Sequence, residues 1–424
     1  MRILDTAKQI FLLPDLRKKL LYAVFLLFIA RILAHIPLPG VDVVALRGFF
    51  ERNQIFGLLN MFSGGAMQNF SIIMMGVGPY ITASIIMQLL GMVVPAIEEL
   101  QKEGEQGQQK INYWTRIITV PLAIIQAYAM LNLLKSQQIV PEWSLIQLIV
   151  MLISITAGTI LLMWIGELIS ENGIGNGVSL IITLGIVAGI PTQIRNTLKI
   201  IQGSQIISLA IFGIIAVAVV ILIVIVNEAR RQIPVSYARR IRGLKAYGGV
   251  DTHLPIRVNT AGVIPIIFAM SIMIFPGVAA KFLTGAKSLW LSHGATLISN
   301  LFSNNLFYGV LYFLLVIGFT FFYTGMVLKP TQIAENLQKQ GGFIPGVRPG
   351  NETVSYISYI VSRINLTGAL FLGIIAVLPF IMQSATRIDT LAIGGTGVLI
   401  MVSVIIETMR QIQAQLLMRQ YESY

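Results

Sequence analysis

Apolar residues in this chain fall in long, nearly uninterrupted runs, and the charged residues are gathered in the short stretches between them. The runs are roughly 18 to 25 residues long, the length a helix needs to cross a hydrocarbon core about 30 Å thick. They lack the strict two-residue alternation of a barrel strand, so the pattern predicts membrane-spanning helices. Ten are expected: near Leu20–Ile36, Ile72–Val94, Tyr113–Leu134, Leu145–Ile169, Val178–Ile190, Ile206–Val226, Val258–Ala279, Leu306–Leu328, Leu366–Met382 and Ala392–Met409. Five fall on each side of a connection near Arg195–Ser204. An odd number per half means that the second half starts from the opposite face, as inverted-topology repeats require.

Charge adds an orientation. With the N-terminus inside, the cytoplasmic face receives Arg17, Lys18, Lys19, Lys102, Lys110, a cluster from Arg230 to Arg257, and Lys329, Lys339, Arg348, Arg363 and Arg410. The other face keeps far fewer basic residues, so both termini are expected in the cytoplasm. Met1–Pro14 has no apolar h-region or small-residue cleavage site, and the first span is expected to be retained. Arg31, Glu167 and Glu407 lie near expected span ends, where snorkelling to the interface accounts for them.

Composition agrees and removes several chemistries. Of 424 residues, 55% are hydrophobic and 11% charged, with a formal charge of +12. Cysteine is absent, which excludes disulfides and thiolate chemistry. The three histidines are far apart, and no paired acidic motif or nucleophile–base arrangement is recognisable, so neither a metal, a cofactor nor a catalytic centre is expected. The scarcity of ionisable groups within spans also disfavours an ion-coupled transporter.

Three connections stand out. Pro37–Asn69 is too polar to cross, yet it carries Ile55, Phe56, Leu58, Leu59, Met61 and Phe62 before Ser63, Gly64 and Gly65. It reads either as an interfacial helix on the outer surface or as a re-entrant segment, and the second requires surrounding protein or a water-filled cavity. Residues 227–259 and 329–363 are long, basic and cytoplasmic, and suit docking of phosphate or carboxylate partners as well as anionic lipid. The glycines of ENGIGNG, residues 171–177, lack a preceding strand and a following lysine. They suit a helix start capped by Asn176 better than a phosphate cradle.

Several strings then carry a family resemblance: IPLPGVD from Ile36, NMFSGGA from Asn60, GPYITASIIMQLL from Gly78, KEGEQGQQKI from Lys102, LMWIGELISENGIGNGVS from Leu162, THLPIRVNTAGVIPIIF from Thr252, PGVRPG from Pro345 and GGTGVLI from Gly394. In this order and spacing they resemble the SecY family of protein-translocation channels along nearly the whole chain. The resemblance implies an all-α membrane protein, ten helices in two inverted halves of five, residues 1–200 and 201–424, closed like a clamshell around a pore. It implies the central subunit of the Sec translocon of a bacterial cytoplasmic membrane, passing unfolded secretory proteins across and releasing membrane proteins sideways into lipid. Implied partners are the SecE and SecG subunits, the SecA motor ATPase, the ribosome through rRNA phosphates, signal peptides, nascent chains and membrane lipids.

Carried over residue by residue, the pore ring is Val77, Ile81, Val178, Ile182, Ile267 and Ile400. The plug spans about residues 53–70, with Phe56, Leu59, Asn60, Met61, Phe62, Ser63, Gly64 and Gly65. Thr82, Ser84, Gln88, Asn259, Thr260 and Ser271 would line the lateral gate, and Arg239, Arg240, Arg242, Lys245 and Arg348 would meet the motor or ribosome. Leu244 stands where the family often has a basic residue. An aliphatic ring suits this task, because it dewets when narrow and conforms around any side chain.

Overall fold

In a computed structural model the chain is described over residues 13–38, 46, 60, 63–136, 143–200, 206–237, 240–242, 245–247, 252–283, 289–386 and 395–422. These residues are predominantly helical. In chain order the helices are α1 Pro14–Leu33, α2 Gly78–Val93, α3 Pro95–Lys102, α4 Glu105–Ser136, α5 Leu145–Asn172, α6 Gly177–Ile200 and α7 Ile206–Glu228. After four strands come α8 Ile264–Leu283, α9 Leu289–Ser303, α10 Asn305–Val327, α11 Pro330–Lys339, α12 Asn351–Thr386 and α13 Gly395–Glu422. Among the described residues five helices are long and apolar enough to cross a membrane, or six if α2 and α3, bent by 101°, form one broken span.

Local chemistry sets the helix starts. Proline occupies the first turns of α1, α2, α3 and α11, where its fixed φ fits and its missing N–H costs nothing. Ser144 and Gln147 form a reciprocal capping box at α5. Asn176 caps α6 as expected, its Oδ1 accepting from the Ser179 N–H at 3.0 Å. The chain departs from the expected runs at Ile72–Val77, which is a series of turns, and at Val258–Val263, which precedes α8. Both are apolar enough to resemble span residues, and tertiary packing decides otherwise. Polar flanks lengthen other helices: α4 starts at Glu105, α12 at Asn351, and α13 runs on to Glu422.

The chain divides into two compact units. The first comprises residues 1–206, 271–304 and 382–424, the second 207–270 and 305–381. In the first, α2 lies on α4, α4 on α5, α5 on α6 and α6 on α13, while α1 contacts α5 and α6. Its main apolar core joins Leu38, Leu46, Met67, Phe70 and Met74 to Ala127, Met130, Leu131 and Leu134 of α4 and to Met151 and Ile155 of α5. A smaller cluster ties Leu16 of α1 and Ile174 of the ENGIGNG loop to Ile412 and Leu416 of α13. The Gly175 N–H, in that loop, donates to Gln411 Oε1 at 2.8 Å.

In the second unit the expected basic connections fold. β1 (Arg230–Tyr237) is central between β4 (Thr252–Arg257) and β5 (Gly342–Phe343), both antiparallel to it. Ile233 and Val235 point inward in the two-residue alternation of a half-buried strand. Pro234 pairs only with His253, because β5 joins β1 beyond it at Ser236 and Tyr237, so the missing N–H removes no bond on that side. The buried strand residues meet Ala334 and Leu337 of α11, Ile344, and Ile357 of α12 in one apolar cluster. β2 (Arg240–Arg242) and β3 (Lys245–Tyr247) form a separate two-stranded ribbon.

Candidate functional site

The expected ring residues sit on α2, α6, α8 and α13. Val77 immediately precedes α2 and is 2% exposed, and its carbonyl accepts from the Ile81 N–H one turn on at 3.0 Å. Val178 is half-buried in the first turn of α6, and Ile182, one turn on, is 2% exposed. Ile400 of α13 is 1% exposed, and α13 contacts α6. The structure thus gathers the helices bearing Val178, Ile182 and Ile400, whereas Ile267, half-buried on α8, belongs to the second unit. Val178 also contributes to helix packing, since a Cβ on Gly166 of α5 would stand 3.1 Å from its Cγ2.

Of the expected plug residues, Phe56, Leu59, Met61 and Phe62 lie outside the described residues. Asn60, Ser63, Gly64 and Gly65 are placed, and the coil from Ser63 to Val77 is packed within the first unit, with Ala66, Phe70 and Met74 wholly buried. For these residues the surface-lying helix is set aside, because a lipid-facing strip would not bury its apolar side chains under α4 and α5. The coil satisfies its own backbone. The Gly65 N–H donates to Asn60 O at 2.8 Å, the Gln68 N–H to Asn60 Oδ1 at 3.0 Å, and Ser63 Oγ to Asn60 O at 3.0 Å. Such self-satisfaction is what non-helical backbone at membrane depth demands.

This coil is also stitched to the end of α1. Arg31 Nη1 donates to Gly64 O at 2.6 Å, and Asn69 Nδ2 donates to Ala34 O at 3.4 Å. The Leu38 N–H reaches Phe70 O at 2.8 Å, and the Ile72 N–H reaches Ile36 O at 3.1 Å, with Pro37 bridging to Ser71. Snorkelling therefore does not describe Arg31. Nor does it describe Glu167 of α5, whose Oε1 takes a 2.8 Å hydrogen bond from Arg116 Nε of α4 while only 13% of its side chain is exposed.

Gate candidates on α2 face polar neighbours. Thr82 Oγ1 donates to Gly78 O at 3.0 Å and accepts from Gln126 Nε2 of α4 at 3.4 Å. Gln88 Nε2 donates to Ser84 Oγ at 3.2 Å, leaving its buried Oε1 without a partner. Asn259 precedes α8 and donates to Asn227 Oδ1 of α7 at 2.7 Å, both residues being buried. Thr260 Oγ1 donates to Arg257 O at 2.9 Å, and Ser271 lies half-buried inside α8. Sequence reasoning missed Gln126 and Asn227. An amide within or ending an apolar run was their only signal.

Of the basic candidates, Arg239 lies outside the described residues. Arg240 and Arg242 stand on β2, and Arg242 is directly opposite Lys245 of β3. Arg348 is exposed in the turn before α12, its carbonyl accepting from Thr353 Oγ1 at 2.9 Å. Gly346 and Gly350 on either side adopt positive φ, which lets this chain reverse tightly around the arginine.

A family model described as SecY matches residues 71–409. The chain is 41% identical over 440 residues to a protein translocase subunit SecY of Streptomyces galbus, covering 100% of both chains. It is 42% identical over 434 residues to the protein of the same description from Halalkalibacterium halodurans, covering 99% of each. Among solved structures it resembles a protein-conducting channel with a TM-score of 0.63 and 18% identity over 93% of this chain and 91% of that one. It also resembles Sec61 in a canine ribosome–channel complex from the endoplasmic reticulum, with a TM-score of 0.60 at 18% identity over 93% of this chain and 91% of that one. At such identities the structural likeness speaks for the fold, and the full-length sequence match speaks for descent: the chain belongs to the SecY family.

Proposed function

We propose that this chain is the pore-forming subunit of a protein translocase, carrying unfolded secretory chains across the cytoplasmic membrane and releasing apolar segments sideways into it. The observation that carries the reading is the full-length match to relatives described as protein translocase subunits, at 41% identity. The local geometry supports it, because Val77, Ile182 and Ile400 are buried aliphatic residues in the unit that also holds the packed 63–77 coil. A waist without charge neither traps a passing chain nor hydrates when empty.

In this reading the ten apolar runs all span, arranged as two inverted halves of five, residues 1–200 and 201–424, with both termini cytoplasmic. Span parity and the bias of basic residues support that arrangement. Val77, Ile81, Val178, Ile182, Ile267 and Ile400 form the ring, and residues 53–70 plug it from the far side. Thr82, Ser84, Gln88, Asn259, Thr260 and Ser271 line the lateral exit, where a sufficiently apolar segment partitions into lipid under the hydrophobic effect. The chain itself performs no chemistry. SecA or a translating ribosome supplies the work through Arg239, Arg240, Arg242, Lys245 and Arg348, whose charge suits rRNA phosphates or acidic protein. SecE and SecG complete the assembly.

The test is photocrosslinking of an arrested secretory chain from probes at Ile81 and Ile267, in membranes supplied with the motor. Adducts at both positions are expected. Adducts absent from both, with the substrate still engaged, overturn the pore assignment.

A further inference from the structure

We propose that Arg31 is the latch of the plug, and that the Phe70–Ile72 pairing is an anchor that stays in place when the plug moves. The inference rests on the channel reading above and adds to it which contact yields and where motion stops.

The contacts that residues 31–38, the end of α1 and the segment after it, make with the coil fall into two sorts. From residue 69 onward there is a ladder. The Asn69 amide donates to Ala34 O, while the Leu38 N–H donates to Phe70 O and the Ile72 N–H to Ile36 O, the two bonds that pair Pro37 with Ser71. Two of these three bonds are backbone to backbone, and each would leave an orphaned group in a water-poor setting if broken. Phe70, at the ladder's start, is wholly buried and holds φ at 47°, an uncommon value for a residue with a side chain. Such a conformation persists only where its surroundings over-determine it, so this point is fixed.

Ahead of the ladder the coil is held differently. Among the described residues, the hydrogen bond that joins this part of the coil to α1 runs from Arg31 Nη1 to Gly64 O at 2.6 Å. It is charge-assisted, and about twice as strong as a neutral pair. It is also carried by a long side chain, which can keep its cation near the last-turn carbonyls of α1 after letting go. Gly64 is seated closely as well. Its φ is 72°, and a Cβ there would stand 3.1 Å from Gly185 Cα of α6. The neighbouring Gly65 has φ 79° but open space around it. Among the described residues, a side-chain bond and a glycine-to-glycine contact thus tie the coil at residue 64, whereas backbone bonds tie it from residue 70 onward.

The experiment uses the translocase complex purified with its membrane partners and placed in planar bilayers without substrate. Arg31→Gln should raise the open probability roughly tenfold, which corresponds to about 1.4 kcal/mol, and Arg31→Lys should fall between it and the wild type. Gly64→Ala should also open the channel, and more than Gly65→Ala, which imposes similar backbone strain without the contact to Gly185. Because the chain has no cysteine, tethers can be placed at will. A short crosslink between cysteines at positions 37 and 71, which are paired in the structure and lie outside residues 53–70, should leave motor-driven translocation unchanged, and one between positions 31 and 63 should stop it. Wild-type open probability in Arg31→Gln, or arrest by the 37–71 tether, overturns the proposal. If Arg31→Gln opens while no variant, wild type included, passes a protein chain, the latch stands and the translocation reading falls.

Discussion

At the scale of single residues, the closest approaches are made where side chains are missing. A Cβ on Gly158 of α5 would collide with Ile72 O, and one on Gly177 of α6 would collide with Gly166 O of α5. Gly158→Ala should therefore cost about 1–3 kcal/mol by overpacking, as a fall in the melting temperature of the detergent-solubilised protein. Gly318→Ala on α10, where nothing stands within 4 Å, should be neutral or stabilise by up to about 1 kcal/mol through helix propensity. The ring makes a different demand. Ile182→Gly should lower stability through lost burial, the cavity left behind and glycine's poor helix propensity, and it should also make the idle channel conduct ions in planar bilayers. Unchanged conductance would remove Ile182 from the seal. Asn176 was legible beforehand, since a cap is local chemistry. Arg31 was not: a cation near a span end looks the same whether it reaches for water or for Gly64, and only folding brings residue 64 to it.

Among elements, α4 and α5 are joined by the Arg116–Glu167 pair, with 44% and 13% of the two side chains exposed. Glu167→Gln should destabilise by about 1–2 kcal/mol, and the double change with Arg116→Gln should recover part of that, because it leaves no half-buried charge alone. Thermal melts of the two single variants and the double variant give the coupling directly, and strict additivity would show the pair to be inert. The apolar runs led correctly to the helices, because a spanning helix must be continuously apolar over a fixed length. They misled at Ile72–Val77, where a coil buried in protein has the composition of a helix bathed in lipid. The β1–β4 pairing was hidden for a related reason: Ile233 and Val235 alternate within RRQIPVSY, and the surrounding charge reads as a solvated loop until a sheet gives those two residues an inside.

For the whole molecule, the expected orientation rests on where lysines and arginines collect rather than on any contact, and labelling tests it. Single cysteines at Lys18 and Gln413 should react with an impermeant maleimide only from the cytoplasmic side, and one at His293 only from the opposite side. Labelling of all three from one side would reverse or scramble the arrangement. The three-stranded sheet could not be foreseen, because it draws on two separate connections and β1 and β5 lie more than a hundred residues apart. β5 at Gly342 reaches β1 only after α8, α9 and α10 have been laid down between them.

The helix that begins beside Arg348 ends far from it. At roughly 1.5 Å per residue, α12 runs for about 54 Å from Asn351 to Thr386. Its outer turns carry Ile357 in the core beneath the sheet, and its deeper turns bury Leu372, Ile375 and Ala376. Thr324 of α10 fastens its middle through a 2.8 Å hydrogen bond to Asn365. The proline inside α12, Pro379, lies beyond these buried turns, so the helix runs without one from its start to Ala376. A partner pressing on the turn around Arg348, as proposed above, would thereby tug on side chains several helical turns below.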